Sequence, residues 1–210
     1  MKKVLFPPVV TPMRFPTPEH AVMSRLGYSR WRTALSEAEK KRYSSKIAGY
    51  ARLVRPRGCW TALPVEACTP SGFRFADGHE LVSAKVAERY NDANWMWFGA
   101  ATIGPELPEA CAEAMRSGRT ADALIADAVG GECADAAMDF LQKQASAVLA
   151  RNGMRMAEFR FSPGYGDWEL SGQRLFFSLL DMDALGVRLL DSQLMLPEKS
   201  VTAVAGIVCG

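Results

Sequence analysis

The sequence predicts an α+β fold built on a mainly antiparallel sheet with long helices. Its strands fall between helices without the regular strand–helix–strand alternation of a doubly wound parallel sheet. Two runs carry this expectation. Apolar side chains repeat at three and four from residue 121 to about 149, the signature of a long amphipathic helix, and residues 96 to 103 form a continuous apolar run of the length of a buried strand.

Taken in order, residues 1 to 20 hold Pro7, Pro8, Pro12, Pro16 and Pro18, which read as an extended arm lying on the domain. Thr17-Pro18-Glu19-His20 offers an N-cap with proline at the first helical position, opening a helix through Val22, Met23 and Leu26 that stops near Gly27. Ser36-Glu-Ala-Glu39 resembles a capping box and begins a charged helix to about Leu53, with Tyr43, Ile47, Tyr50 and Ala51 at helical spacing. From Gly58 to Phe75, β-formers with proline and glycine predict strand, turn and strand. The apolar run at 96 to 103 is ended by Gly104-Pro105 and should be central in the sheet. A helix near 107 to 117 precedes the long one. In the middle of the latter, Gly130-Gly131 costs about 1 kcal/mol per glycine against alanine. Either the pair permits a close approach, by packing or by a ligand, or the helix breaks in two.

Met156, Glu158 and Arg160 alternate with Ala157, Phe159 and Phe161, the pattern of a half-buried strand that places Arg160 opposite the core face. Pro163 then biases Ser162 to an extended conformation, and Gly164 and Gly166 allow positive φ and a close approach to the main chain. Arg160 offers a fork of donors suited to a carboxylate, and Tyr165 an aromatic face with a polar tip. The plainer alternative is a strand that ends in a tight turn with a surface arginine. Residues 173 to 185 read as one apolar helix closed by Gly186. Residues 187 to 193 and 200 to 208 read as strands, with Pro197 in their connection.

The chain has 210 residues, 49% hydrophobic and 23% charged, and a mean hydropathy of −0.05. That is the makeup of one ordinary globular domain spanning residues 1 to 210. Basic residues number 25 against 23 acidic, and Arg52, Arg55 and Arg57 form only a local cluster, which argues against a nucleic-acid partner. Pro7 and Pro8 cut the opening apolar run short and no stretch reaches membrane-spanning length, so the expectation is a cytoplasmic protein with no membrane partner. Cys59, Cys68, Cys111, Cys133 and Cys209 are odd in number and scattered, without a CxxC pair, and read as reduced thiols rather than metal ligands. Cys209 stands apart as either a reactive thiol or part of a frayed end. No phosphate-binding glycine loop follows a predicted strand, and His20 and His79 lie in no nucleophile context.

Arg160-Phe-Ser-Pro-Gly-Tyr165 resembles the Arg-Pro-x-Pro-Gly-Tyr motif of the S-adenosylmethionine-binding activation (reactivation) domain of cobalamin-dependent methionine synthase. Gly186-Val-Arg-Leu-Leu-Asp-Ser192 and Met195-Leu-Pro-Glu-Lys-Ser-Val201 are similar to that domain's Gly-x-x-Leu-Thr-Glu-Ser and Met-x-Pro-x-x-Ser-Val segments, at the same spacing. Phe98-Gly-Ala-Ala-Thr-Ile-Gly104 and Asp127-Ala-Val-Gly130 resemble stand-alone members of the family. The likeness covers roughly residues 80 to 206.

The resemblance implies a C-shaped α+β fold and a set of ligand contacts. Arg160 would grip the carboxylate of S-adenosylmethionine, backbone at Ser162 and Gly164 would meet its adenosyl part, and Tyr165 would stand near the methyl donor. Asp135 falls where the family has an acidic ligand for the amino group and sulfonium, with Asp127, Glu132 and Asp139 as neighbouring alternatives. No catalytic acid or base is implied, because the role is orientation. Cobalamin would be presented by a corrinoid-binding methyltransferase in trans, and an external electron donor such as flavodoxin or ferredoxin would supply the electron for reductive methylation of cob(II)alamin. A non-catalytic module that docks to and stabilises a corrinoid protein is the alternative, and an enzyme using the cleft for another adenosyl or amino-acid ligand is a third reading. Two departures stand out. Val9-Val10 precede Thr11-Pro12 where the family has an acid in an Asp-x-Thr-Pro context, and the corrinoid, folate and homocysteine domains that the parent enzyme carries on the same chain have no counterpart in this sequence. Separately, Asp77-Gly-His79-Glu-Leu-Val82 resembles the Asp-x-His-x-x-Gly cobalt-ligating segment of corrinoid proteins but has Val82 where glycine is required, so the chain is not expected to hold its own corrinoid in that way. Trp95, Trp97 and Trp168 read either as core or as a surface for the corrin face.

Overall fold

Strand β5 (Trp95–Thr102) is buried along nearly its whole length because both of its faces are covered. Met96, Phe98 and Ala100 enter one core cluster, while Trp97 and Ala101 enter another. The computed structural model describes residues 6–28 and 35–210. In it β5 pairs antiparallel with β2 (Arg57–Thr69) on one side and β9 (Ser200–Cys209) on the other. With β3 (Gly72–Phe75), β4 (Glu80–Val82) and β6 (Met154–Met156) the sheet runs β4-β3-β2-β5-β9-β6, antiparallel throughout. The run at 96 to 103 is therefore central, as its composition predicts.

Of the proline-rich arm, residues 1–5 lie outside the described residues. The remainder runs extended to Pro18. Its β1 (Thr11–Pro12) pairs with Gly58 and Arg57 at the start of β2, and the far end of the same β2 edge is left to β3. Phe6 is buried beside Trp60, and its carbonyl accepts a 2.7 Å hydrogen bond from Thr61 Oγ1.

The helices cover the two faces of the sheet. The 31-residue α5 (Thr120–Ala150) packs Ala137, Met138, Leu141, Ala145 and Leu149 against the Trp97 face. Its first half packs with α1 (Glu19–Arg25), α2 (Glu37–Ala51) and α4 (Glu106–Arg116) around Val22, Ile47, Leu107 and Val129. The Phe98 face is covered by α3 (Ala84–Arg89), α6 (Gln173–Leu179) and α7 (Met182–Leu185), with Phe98 and Phe176 ring to ring at 5.7 Å. Helices on both sides of an antiparallel sheet make a three-layer α+β arrangement.

Several local expectations are corrected. Pro18 sits at the N-cap of α1, one position earlier than predicted, and no side chain caps that helix. The capping box of α2 is present in full: Glu39 N–H donates to Ser36 Oγ at 3.3 Å, and Ser36 N–H donates to Glu39 Oε2 at 2.9 Å. Helix α5 does not break at Gly130-Gly131. A Cβ at Gly130 would stand 3.1 Å from the aliphatic carbons of Lys199, and one at Gly131 would stand 3.2 Å from the Arg25 guanidinium, so close packing explains the pair. The predicted helix over 173 to 185 is two helices. Leu180 is extended, and Asp181 caps α7 by accepting from Ala184 N–H at 3.0 Å, a side-chain bond that competes with helix continuation. The strand predicted over 187 to 193 shrinks to β7 (Arg188–Leu189), which pairs with β8 (Met195–Leu196). A turn closed by Leu190 N–H to Leu194 O at 2.9 Å separates them, with Gln193 at φ 65°. Trp97 and Trp168 are buried in the core and Trp95 is partly buried against it, so Trp97 and Trp168 offer no surface to a corrin ring.

Candidate functional site

The chain leaves the sheet edge immediately after β6, and this departure builds the site. Met156 pairs with Ile207 and Ala157 N–H still donates to Gly206 O at 2.8 Å, but the next pairing with β9 is the bridge of Phe161 to Val204. Residues 158 to 160 therefore bulge away from the sheet, which corrects the regular strand read from their alternation. A bulge leaves backbone carbonyls without ladder partners, and buried polar groups need replacements. Side chains supply them. Gln142 Nε2 on α5 donates to the carbonyls of Ala157 and Glu158 at 2.9 and 3.1 Å. Tyr90 Oη donates to the Phe159 carbonyl at 2.8 Å, and burial pushes its phenol pKa to about 12, so it remains a donor at any physiological pH. Phe159, assigned to the core face by the alternation, is 51% exposed, with the Arg89 guanidinium 4.3 Å above its ring.

The bulge turns Arg160 toward α5. Its Nη1 donates to Gln142 Oε1 at 2.5 Å, and its Nη2 lies 2.8 Å from Asp139 Oδ1. Beyond it, Tyr165 N–H donates to Ser162 O, Gly164 N–H to Trp168 O and Trp168 N–H to Tyr165 O. Gly164 and Gly166 have φ of 91° and 62°, the left-handed region that glycine alone enters freely. A Cβ at Gly166 would also lie 2.8 Å from Lys85 Cδ. Trp168 is buried against Phe176, and Asp167 ties the turn to the start of α3 through Ser83 and the backbone of Ala84 and Lys85. Tyr165 stands 70% exposed.

Between this segment, α5, the start of α6 and the start of β9 lies a cleft of about 790 Å³. Asp135, Asp139, Glu158, Arg160, Ser162 and Tyr165 bring polar groups to its walls. Gln173 and Thr202, both buried, add an amide and a hydroxyl, with Thr202 Oγ1 donating to Gln173 Oε1 at 2.7 Å. Met195 adds an apolar contact. Asp135 is followed through the cleft by a second carboxylate one helical turn on, Asp139. The Asp135 carboxyl is pushed up by burial and then by Glu132, although its side chain stays 64% exposed. Arg25 Nη2 lies 3.8 Å from it, and Arg25 Nε lies 2.5 Å from Glu132 Oε1. A guanidinium among carboxylates, beside an aromatic face and buried amide and hydroxyl groups, is suited to a zwitterion with an attached ring system.

Of the residues singled out from the sequence, Arg160, Ser162, Tyr165 and Asp135 all line this one cleft, while Gly164 shapes the turn without lining it. Gln142, Gln173 and Thr202 belong to no motif legible in the sequence. The available signal was a glutamine at a core-facing position of an amphipathic helix, where a buried amide must find partners. Asp139, which the sequence offers only as an alternative to its neighbour Asp135, is the acid that contacts Arg160.

No protein-family description matches the chain, and no curated protein matches it. A solved structure does: the crystal structure of the MetH reactivation domain bound to AdoHcy matches with a TM-score of 0.68 over 97% of this chain and 79% of that one, at 14% sequence identity. At that identity the likeness establishes the fold. No helix among the described residues is long and apolar enough to cross a membrane.

Proposed function

We propose, for a chain that has the fold of the MetH reactivation domain, that it is a cytoplasmic S-adenosylmethionine-binding reactivation factor for a separate corrinoid-dependent methyltransferase, methionine synthase in the first place. It would support reductive methylation of cob(II)alamin carried by that partner, with the electron drawn from an outside donor such as flavodoxin or ferredoxin. The observation that carries the reading is the gathering of Arg160, Asp135, Ser162 and Tyr165 on one cleft, in a fold whose solved relative holds AdoHcy. A volume of about 790 Å³ accommodates a nucleoside joined to an amino acid.

S-adenosylmethionine supplies an electrophilic methyl group when bound. The residues of this chain bind and orient. Arg160 offers its fork to a carboxylate, Asp135 offers a carboxylate to the cationic end of the ligand, and Ser162 and Tyr165 line the cleft on a turn whose path the positive φ of Gly164 allows. Orientation of this kind lowers a barrier by pre-organisation and needs no general base.

The test is calorimetric titration of the purified protein with S-adenosylmethionine, beside an Arg160→Ala variant checked for folding by its thermal melt. Binding in the micromolar range, weakened about tenfold or more by the substitution, is expected for loss of a charge-assisted pair. A second reading, a docking module that stabilises a corrinoid protein without binding S-adenosylmethionine, is favoured by one specific observation: Arg160 is already paired with Asp139. Absence of binding by the wild type, alone and with a corrinoid protein added, would select that reading.

A further inference from the structure

Arg160 is held by two partners of opposite character. Gln142 is 7% exposed and its amide is committed three times, to the carbonyls of Ala157 and Glu158 and to Arg160 Nη1. It cannot swing away without stranding two backbone carbonyls as well as the guanidinium. Asp139, three residues earlier on α5, meets Arg160 Nη2 with a side chain that is 56% exposed. Its carboxylate makes no other hydrogen bond or ion pair among the described residues. An ion pair so open to solvent is held weakly.

We propose that Asp139 is an internal stand-in for a ligand carboxylate, displaced from Arg160 when a carboxylate-bearing ligand enters the cleft, and that Gln142 is the positioning residue that fixes the guanidinium before and after the exchange. The inference rests on reading the cleft as an S-adenosylmethionine site. The exchange replaces one carboxylate by another on the same fork, so Arg160 is never left without a counter-charge. Asp139 sets how strongly a ligand must compete, and Gln142 sets where.

The experiment compares wild type with Asp139→Ala, Gln142→Leu and Arg160→Ala, and with Asp139→Ala and Gln142→Leu each combined with Arg160→Ala, by calorimetric titration with S-adenosylmethionine. Removing the competitor should tighten binding about two- to fivefold, and removing the positioner should weaken it about tenfold. Both effects should vanish when Arg160 is absent, which loss of a merely structural residue would not produce. Binding of 5′-methylthioadenosine, which has no carboxylate, should not respond to Asp139→Ala. Unchanged or weaker S-adenosylmethionine binding by Asp139→Ala overturns the stand-in role, and a Gln142→Leu loss that persists without Arg160 overturns the positioning role.

Nitrogen-15 NMR of the arginine side chains reads the same contacts without ligand. Resolved Arg160 Nη–H signals should survive Asp139→Ala and disappear in Gln142→Leu. If the leucine variant fails to fold, Gln142→Glu, which keeps the acceptor for Arg160, should retain the signals, and their loss there overturns the assignment. Failure of every protein to bind S-adenosylmethionine, Asp139→Ala included, overturns the proposed function and the stand-in role together, while the NMR result still decides the role of Gln142.

Discussion

Ser83 Oγ donates a 2.6 Å hydrogen bond to Asp167 Oδ1, across 84 positions of chain. The same carboxylate accepts from Ala84 N–H at 2.7 Å and Lys85 N–H at 3.3 Å, so the Gly-Tyr-Gly turn beside the cleft is fastened to the first turn of α3. The Ser83 hydroxyl, followed by those backbone amides, holds the Asp167 carboxyl below the usual carboxylate range. A group with a lowered folded-state pKa contributes stability that is present above its unfolded value, about 3.9, and is lost as pH falls through the lower folded value. Amide protection of residues 162 to 168, corrected for intrinsic exchange, should be constant from pH 7 to about 5 and decline below about 4. Asp167→Asn should reduce protection several-fold at pH 7 and abolish that decline. An unaltered pH profile in the variant would refute the tie.

Strand β5 tolerates no side chain at Gly99. A Cβ at Gly99 would stand 2.2 Å from the ring of Trp97, which is wholly buried and has no room to turn away. Gly99→Ala should destabilise the protein by about 3 kcal/mol, the upper end of ordinary overpacking, read as a lower urea midpoint at unchanged slope. Gly99→Ala combined with Trp97→Phe should recover part of the loss, since the smaller ring vacates the contact.

Gly130 presents a softer conflict. Alanine there gains about 1 kcal/mol of helix propensity, but its Cβ would press at 3.1 Å on the stem of Lys199, whose ammonium is 2.7 Å from Asp127. Gly130→Ala should therefore stabilise by less than the propensity alone provides. Shortening the obstacle with Lys199→Ala should let the same substitution show its full gain in thermal denaturation.

The five cysteines should differ in reactivity. Burial raises the Cys59 thiol to about 12 and the Cys133 thiol to about 11, so neither forms appreciable thiolate at neutral pH. Cys68 and Cys209 are exposed, and Cys111 is partly covered with its Sγ 3.3 Å from the Ala123 carbonyl. A native protein treated with a disulfide-exchange reagent at pH 8 should release about two equivalents quickly, a third slowly, and the last two only on unfolding. Rapid release of all five would contradict the burial of Cys59 and Cys133.

Periodicity carried much of the fold. The apolar run of β5, the three-and-four repeat of α5 and the Ser36 capping box each state a local physical requirement, and each was legible. What escaped was decided by tertiary partners. Residues 156 to 161 alternate like a strand, yet Gln142 and Tyr90 draw the carbonyls of Ala157, Glu158 and Phe159 out of the ladder. Asp181 ended a helix that its apolar neighbours would have continued. In the cleft, motif residues such as Arg160 and Tyr165 stood out by their turn chemistry. Asp139 and Gln142 did not, because on a helix with several acids only the facing element decides which carboxylate matters.

The place of β9 in the sheet has a consequence for how the protein is made. It pairs on one edge with β5 and on the other with β6, both of which leave the ribosome before it does. The apolar edge of β5 must therefore wait for residues 200–209, about a hundred positions downstream, which at roughly 5–20 residues per second is a delay of about five to twenty seconds. Through that interval the nascent chain carries an open strand edge, the feature most prone to pairing with a stranger. The long α5 helix, synthesised in the gap, is placed to cover the Trp97 side of the unfinished sheet, but no described strand before β9 closes its edge.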